Sequence, residues 1–159
     1  MKVYTDGATS NNGYAGAYGG WAYILVDNED NIICKGMGYY LNATNNICEL
    51  LAIINGCQAA EEIGGKHTIY SDSSYCINCY KEKWYKKWVQ NGWLTSSNKP
   101  VANKKFWKQL IPYFENPNFS FEKVKGHATD ESLHSYYNNY VDKMAVQAKE
   151  LCVWKTKEI

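Results

Sequence analysis

Val3-Tyr4-Thr5-Asp6-Gly7-Ala8 is the stretch on which the fold turns. Val, Tyr and Thr favour a pleated strand, and Gly7 favours irregular backbone directly after it. A strand is therefore expected to end at Asp6, near the start of the chain. A carboxylate at that position is badly placed for packing and well placed to bind a cation. Glu49, Asp72 and Asp142 stand in later, distant segments and are its candidate partners. The hypothesis they raise is a set of four carboxylates that meet around metal ions.

Outward from that strand the chain alternates between extended and helical patterns. Thr9–Gly20 is rich in Gly, Asn and Ser and predicts a turn region. Trp21–Val26 and Ile32–Tyr40 predict two more strands around the polar turn 27–31, which makes an antiparallel meander. Ile47, Leu50, Leu51 and Ile54 recur at helical spacing, and the helix is expected to run towards Gly64-Gly65. Asn46 is its expected N-cap. Glu49, three residues later, fits a loose capping box, which is a purely structural account of that acid. Lys66–Asp72 predicts a fourth strand ending in an acid, and Asp72 could equally be the cap of the following helix. A strand–helix–strand crossover of this kind is right-handed and places the first and fourth strands parallel. Asp6 and Asp72 then share the carboxyl end of a sheet, where open α/β sheets keep their sites.

A chain of 159 residues is expected to form one domain, 1–159, with a full hydrophobic core. Its net charge of +1 names no partner, but the distribution does. Between Lys81 and Lys108 there are eight lysines and one acid, Glu82, a local balance of +7. Such a focused basic patch suits a polyanion. The chain contains no arginine, so phosphate contacts have to come from Lys, backbone amides or neutral side chains. Trp84, Trp88 and Trp93 are interleaved with these lysines; they are either a core stripe or a surface on which sugars and bases stack.

The six cysteines, with no signal peptide, are expected to be free thiols in a reducing, cytoplasmic compartment. Cys76-Ile77-Asn78-Cys79 has no second pair to complete a zinc site. It is either a redox pair or two unrelated cysteines on a helix. No apolar run is long enough to span a bilayer. Val101–Phe114 predicts a helix and Asn118–Val124 a fifth strand. Lys125-Gly126-His127 opens a polar loop, and the last helix is expected near Asn139, with Asp142 as its capping-box or dipole acid.

Each acid thus has a structural explanation when taken alone. Together the segments Tyr4-Thr5-Asp6-Gly7, Thr44-Asn45-Asn46-Ile47-Cys48-Glu49-Leu50, Tyr70-Ser71-Asp72-Ser73-Ser74-Tyr75, Val124-Lys125-Gly126-His127-Ala128 and Asn138-Asn139-Tyr140-Val141-Asp142-Lys143-Met144-Ala145 resemble the type 1 ribonuclease H family over nearly the whole chain. Asn91-Gly92-Trp93 and Lys99-Pro100-Val101 resemble the family's basic protrusion, or handle, and its exit. The resemblance implies an α/β ribonuclease H-like fold, a mixed five-stranded sheet flanked by helices. It implies a monomeric endonuclease that cuts the RNA strand of RNA–DNA hybrids, leaving 5′-phosphate and 3′-hydroxyl ends.

Two Mg²⁺ ions, with Mn²⁺ as an alternative, are implied at Asp6, Glu49, Asp72 and Asp142, with His127 as a catalytic loop histidine. Asn12, Thr44, Asn45, Asn46, Ser74, Trp84, Trp88 and Trp107 match positions that contact the hybrid, and Lys86 and Lys87 belong to the handle. Where Ser74 stands the family often has Gln. The turn after Asp6 and the loop after His127 are longer than in common bacterial members. With the strand beginning at residue 3, no separate N-terminal hybrid-binding domain is expected.

The chemistry agrees with these residue types. Cleaving a phosphodiester in line needs an activated water, a stabilised leaving oxygen and neutralised phosphate charge, which two divalent ions supply. Hard cations take oxygen ligands, hence Asp and Glu. An imidazole such as that of His127 exchanges protons near neutral pH. Two rival functions are a catalytically silent hybrid-binding module and a related metal nuclease such as an integrase or resolvase. Four acids are more than binding alone requires, and the Thr-Asn-Asn-x-x-Glu and Lys-Gly-His segments are unexpected in the second.

Overall fold

A computed structural model of the chain describes residues 1–10, 17–125 and 132–158, the last six without their side chains. Three strands, β1 (Lys2–Thr9), β2 (Tyr18–Val26) and β3 (Ile32–Leu41), form the expected antiparallel meander. Helix α1 (Asn45–Ile63) crosses to β4 (His67–Ser71), which pairs parallel with β1. Helices α2 (Ser74–Lys81), α3 (Trp84–Gln90) and α4 (Lys104–Phe114) lead to β5 (Phe119–Lys123), parallel to β4, and α5 (Leu133–Glu158) closes the described chain. The sheet order is β3-β2-β1-β4-β5.

The pleat divides β1 between two cores. Val3 faces α1 and packs with Leu25, Leu50, Ile53 and Ile69. Tyr4 faces α5 and packs with Ile24, Val26, Tyr137 and Val141. Full burial of a Leu or Ile is worth about 1.5–3 kcal/mol. Leu50, Ile53 and Ile54 of α1 are all buried, so the helix is anchored strongly enough to carry one buried acid, Glu49, into the sheet.

Four expectations about element ends need correction. β1 does not end at Asp6 but runs on to Thr9, and Gly7 lies within it. Gly7 is required by close approach rather than by irregular backbone: a Cβ there would stand 2.7 Å from the Cys48 carbonyl carbon and the Glu49 nitrogen. The N-cap of α1 is Thr44, not Asn46; the Thr44 hydroxyl accepts from Ile47 N–H at 3.1 Å. α4 starts at Lys104 rather than Val101, after Asn103 takes a left-handed φ of 63°. α5 begins at Leu133, not near Asn139, because Ser132 Oγ accepts from Ser135 N–H at 3.2 Å and Tyr137 is buried against Tyr4.

Candidate active site

β1 and β4 are in parallel register over Lys2–Tyr4, and β4 then stops at Ser71. Carried forward, that register sets Asp6 beside Asp72. Where β4 is missing, the edge of β1 has backbone donors with no strand to pair with. Glu49 takes that place. Gly7 N–H donates to Glu49 Oε1 at 3.1 Å and to Asp6 Oδ1 at 2.9 Å. Ser71 Oγ donates to the other Glu49 oxygen at 3.4 Å. The absent side chain at Gly7 lets α1 lie close enough for this contact.

Asp6, Glu49 and Asp72 each offer a carboxylate oxygen, and these oxygens all lie within 4.8 Å of one another. Asp6 and Glu49 are buried, and Asp72 is half-buried. Asp142 reaches the same cleft from α5 and adds to the upward push on the Asp6 carboxyl, but it stands outside the group of three. The cleft measures about 440 Å³ and is also lined by Thr9, Asn45, Asn46 and Ser73.

The structural explanations for two acids fail here. Asp72 is not the cap of α2, because Ser73 caps it and accepts from Cys76 N–H at 3.1 Å. Asp142 lies in the body of α5, well past its first turn, so neither capping nor the helix dipole accounts for it.

The electrostatics are those of a crowded anionic site. Burial, followed by the charges of Glu49 and Asp72, pushes the Asp6 pKa well above the ordinary carboxylate range. Burial, followed by Asp72, raises Glu49, while hydrogen bonds from Asp6, Gly7 N–H and Ser71 oppose the rise. Without a cation the Asp6–Glu49 pair therefore takes up a proton more readily than two separate exposed carboxyls would.

The residues expected to contact substrate are distributed unevenly. Asn45 and Asn46 are exposed on the cleft rim. Thr44 is half-buried, with its hydroxyl engaged in the α1 cap. Ser74 is exposed at the start of α2. Asn12 and His127 fall outside the described residues. Trp84 and Trp88 are half-buried and pack against the core, while Lys86 and Lys87 are exposed between them. Trp107 corrects an expectation: it is 0% exposed, and its indole N–H donates to the Tyr75 hydroxyl at 3.1 Å, so it is core and touches no ligand in this arrangement. It backs Trp88, ring centroids 5.5 Å apart, and Trp88 in turn backs Trp93 at 5.9 Å. Lys81 is paired with Glu122 at 2.7 Å, which removes one lysine from the free positive patch. Cys76 and Cys79 are buried free thiols on α2.

Sequence reasoning missed Ser71, Ser73 and the backbone of Gly7. Ser71 and Ser73 flank Asp72, and a short hydroxyl on each side of a site acid was the available signal.

A family model described as RNase H matches residues 1–150. The ribonuclease H of Thermoanaerobacter sp. (strain X514) is 41% identical over 152 residues, covering 92% of this chain and 88% of the relative. That of Prosthecochloris aestuarii is 42% identical over 146 residues, 92% of each. Among solved structures, the PFV RNase H domain superposes with a TM-score of 0.76 at 24% identity, covering 94% of both chains. LC11-RNase H1, solved in complex with RNA/DNA hybrid, superposes at 0.69 and 18% identity, covering 96% and 98%. These two likenesses support the fold. Among the described residues no helix is long and apolar enough to cross a membrane.

Proposed function

Because this chain belongs to the RNase H family, we propose that its acidic cleft hydrolyses the RNA strand of RNA–DNA hybrids, leaving 5′-phosphate and 3′-hydroxyl ends. The observation that carries the proposal is the convergence of Asp6, Glu49 and Asp72, from three separate segments, to within 4.8 Å.

The donor set fits hard divalent cations. Every candidate ligand is a carboxylate oxygen, and two are buried where positive charge is strongly favoured. Asp6, Glu49, Asp72 and Asp142 would hold two Mg²⁺, or Mn²⁺. When bound, such ions supply an activated water, a stabilised leaving oxygen and charge neutralisation.

The chain's own residues do the positioning. Gly7 N–H and Ser71 Oγ fix both oxygens of Glu49. Asp6 is held on a central strand and Asp72 at the end of its neighbour, so their separation is set by a parallel ladder rather than by a loop. Asn45 and Asn46 offer neutral amides at the rim, where they hydrogen-bond sugar and phosphate without adding charge. His127 moves a proton or helps product leave. Lys86, Lys87, Trp84 and Trp88 grip the hybrid away from the cut. The enzyme acts as a monomer in the cytoplasm, and residues 1–159 form one catalytic domain.

A silent binding module fits poorly, since a bare cluster of buried acids repels a polyanion. The test is cleavage of a hybrid labelled on the RNA strand, with matched DNA and RNA homoduplexes, with and without Mg²⁺. The RNA strand of the hybrid is cut only when the ion is present, and the homoduplexes are cut little, because only the hybrid offers 2′-hydroxyls on one strand and DNA on the other. Equal cutting of duplex DNA would favour a generic nuclease.

A further inference from the structure

A second cleft, wider than the acidic one, lies away from the acids. It measures about 840 Å³ and runs between β3 and the face of α5 that carries Tyr136, Tyr140 and Gln147. β3 is an end strand of the sheet, so its outer backbone edge is unpaired. Every second residue of β3 is exposed on one face of this end strand: Ile33, Met37, Tyr39 and Leu41, at 48%, 42%, 46% and 51%, form an apolar row that Lys35 interrupts. The groove holds two cations, Lys35 and Lys143, and its lining contains no acid. Among the described residues neither lysine forms an ion pair.

We propose that the groove between β3 and α5 is a docking site for an extended acidic peptide segment of a partner protein, which adds as a strand to the free edge of β3. An added strand satisfies the edge donors and acceptors, and its alternate side chains enter the groove. Acidic residues pair with Lys35 and Lys143, while apolar ones cover Met37 and Met144, whose flexible thioethers adapt to varied shapes. The helix face from Tyr136 to Gln147 rises about 16 Å, the span of about five extended residues.

Two other occupants fit less well. A second copy of the chain would bring the same uncompensated lysines together, and a lysine on an edge strand discourages edge-to-edge pairing. A single-stranded nucleic acid needs free aromatic faces. Here Lys35 lies over the Tyr140 ring, 5.7 Å from its centroid, and donates to the Tyr140 hydroxyl at 3.1 Å. Tyr136 is engaged edge-on with Tyr137.

The test is an amide-resolved NMR titration of the full chain with a synthetic peptide of about ten residues in which every second residue is Thr and the positions between them are in turn Glu and Val or Leu, so that acidic and apolar side chains share one face of the strand. The expected result is saturable shifts confined to residues 32–41 and 136–147. Lys35→Glu with Lys143→Glu should weaken binding at least tenfold, and the same peptide with Lys in place of each Glu should then bind the double variant better than wild type. Should the double variant fail to fold, Lys35→Gln alone should weaken binding by a smaller factor. No shifts in β3 at millimolar peptide, or unchanged affinity in the variants, would overturn the proposal. So would tighter binding of a ten-nucleotide oligothymidylate to the same residues, which would make the groove a nucleic-acid surface. Concentration-dependent dimerisation through β3 would assign it to a second copy.

Discussion

The acidic cleft and the basic region from Lys81 to Lys108 serve the same proposed substrate, yet they are built in opposite ways. In the cleft, two acids are buried, both oxygens of Glu49 are fixed by hydrogen bonds, and a glycine is needed to bring helix and strand together. In the basic region Lys83, Lys86, Lys87, Lys104, Lys105 and Lys108 are exposed, and the aromatic residues between them, Tyr85, Phe106 and the tryptophans, are what packs against the core. Chemistry at a scissile bond requires placement to a fraction of an ångström. Attraction to a phosphate backbone requires only charge at roughly the right distance. Burial and its electrostatic strain therefore concentrate where geometry decides the rate. Exposure suffices where affinity alone is at stake.

The largest effect is expected at the centre of the cleft. Asp6→Asn should lower Mg²⁺-dependent cleavage by at least about 10³-fold, since acids acting as a unit lose function together when one is removed. The same variant should melt no lower than wild type without metal, because it removes a carboxyl whose ionised form the buried, crowded site disfavours. Near-wild-type turnover would break the comparison from the acidic side.

His127→Ala comes next. Loss of a general acid–base group costs about 10²–10⁴-fold in rate, and Mg²⁺ affinity should change little. Loss of metal binding would mean that His127 is a ligand and the cleft larger than described.

Gly7→Ala tests the rigid construction itself. Its Cβ would press on backbone atoms of Cys48 and Glu49 at 2.7 Å, which cannot rotate away. A loss of about 1–3 kcal/mol in unfolding free energy is expected, together with a fall in kcat. An unchanged denaturation midpoint would show that α1 shifts freely and that the cleft is less exacting than argued.

Replacing Lys86 and Lys87 with Ala should give a milder and different result. KM should rise while kcat holds, and the salt dependence of hybrid binding should flatten by up to about two, near 0.9 per phosphate contact. If neither changes, the handle is carried by Lys99, Lys104 and Lys105.

The smallest effect is on stability against pH. The folded pKa values of Asp6 and Glu49 lie above their unfolded values, chiefly through burial. Their protonated forms therefore favour the folded chain. That contribution is fully present below the unfolded pKa of about 4 and is lost as pH rises through the folded values. Without divalent ions the melting temperature should fall from pH 5 to pH 8. Mg²⁺ should recover it most at pH 8, and Asp6→Asn should flatten the trend. A rising profile would contradict the assigned shifts.

The two regions were also unequally legible in the sequence. Strand alternation and helical spacing predict the β-meander, α1 and the parallel β1–β4 pair, and the five short motifs together point to the acids. What local pattern could not show was contact across the chain. Gly7 read as a strand breaker because its reason, the approach of the distant Cys48, is tertiary. Asn46 and Thr44 are both good caps, and only the hydroxyl's reach to Ile47 N–H separates them. The early start of α5 was hidden because Ser132 and the tyrosines after it read as a polar loop until Tyr137 packs on Tyr4. For the tryptophans, helical spacing left core and surface open. The structure makes Trp107 core and leaves Trp84 and Trp88 half-buried.

The contrast between the regions is tested most directly by single-turnover cleavage of the RNA strand at saturating enzyme over a range of Mg²⁺ concentrations. Wild type, Asp72→Asn and the Lys86→Ala/Lys87→Ala double variant should be compared side by side. Asp72→Asn should stay at least about 10³-fold slow at every Mg²⁺ concentration, while the lysine variant should reach the wild-type rate once the hybrid is fully bound. A rate for Asp72→Asn within about tenfold of wild type, or a lysine variant that stays slow at saturation, would contradict the division between a geometric acid centre and an electrostatic handle.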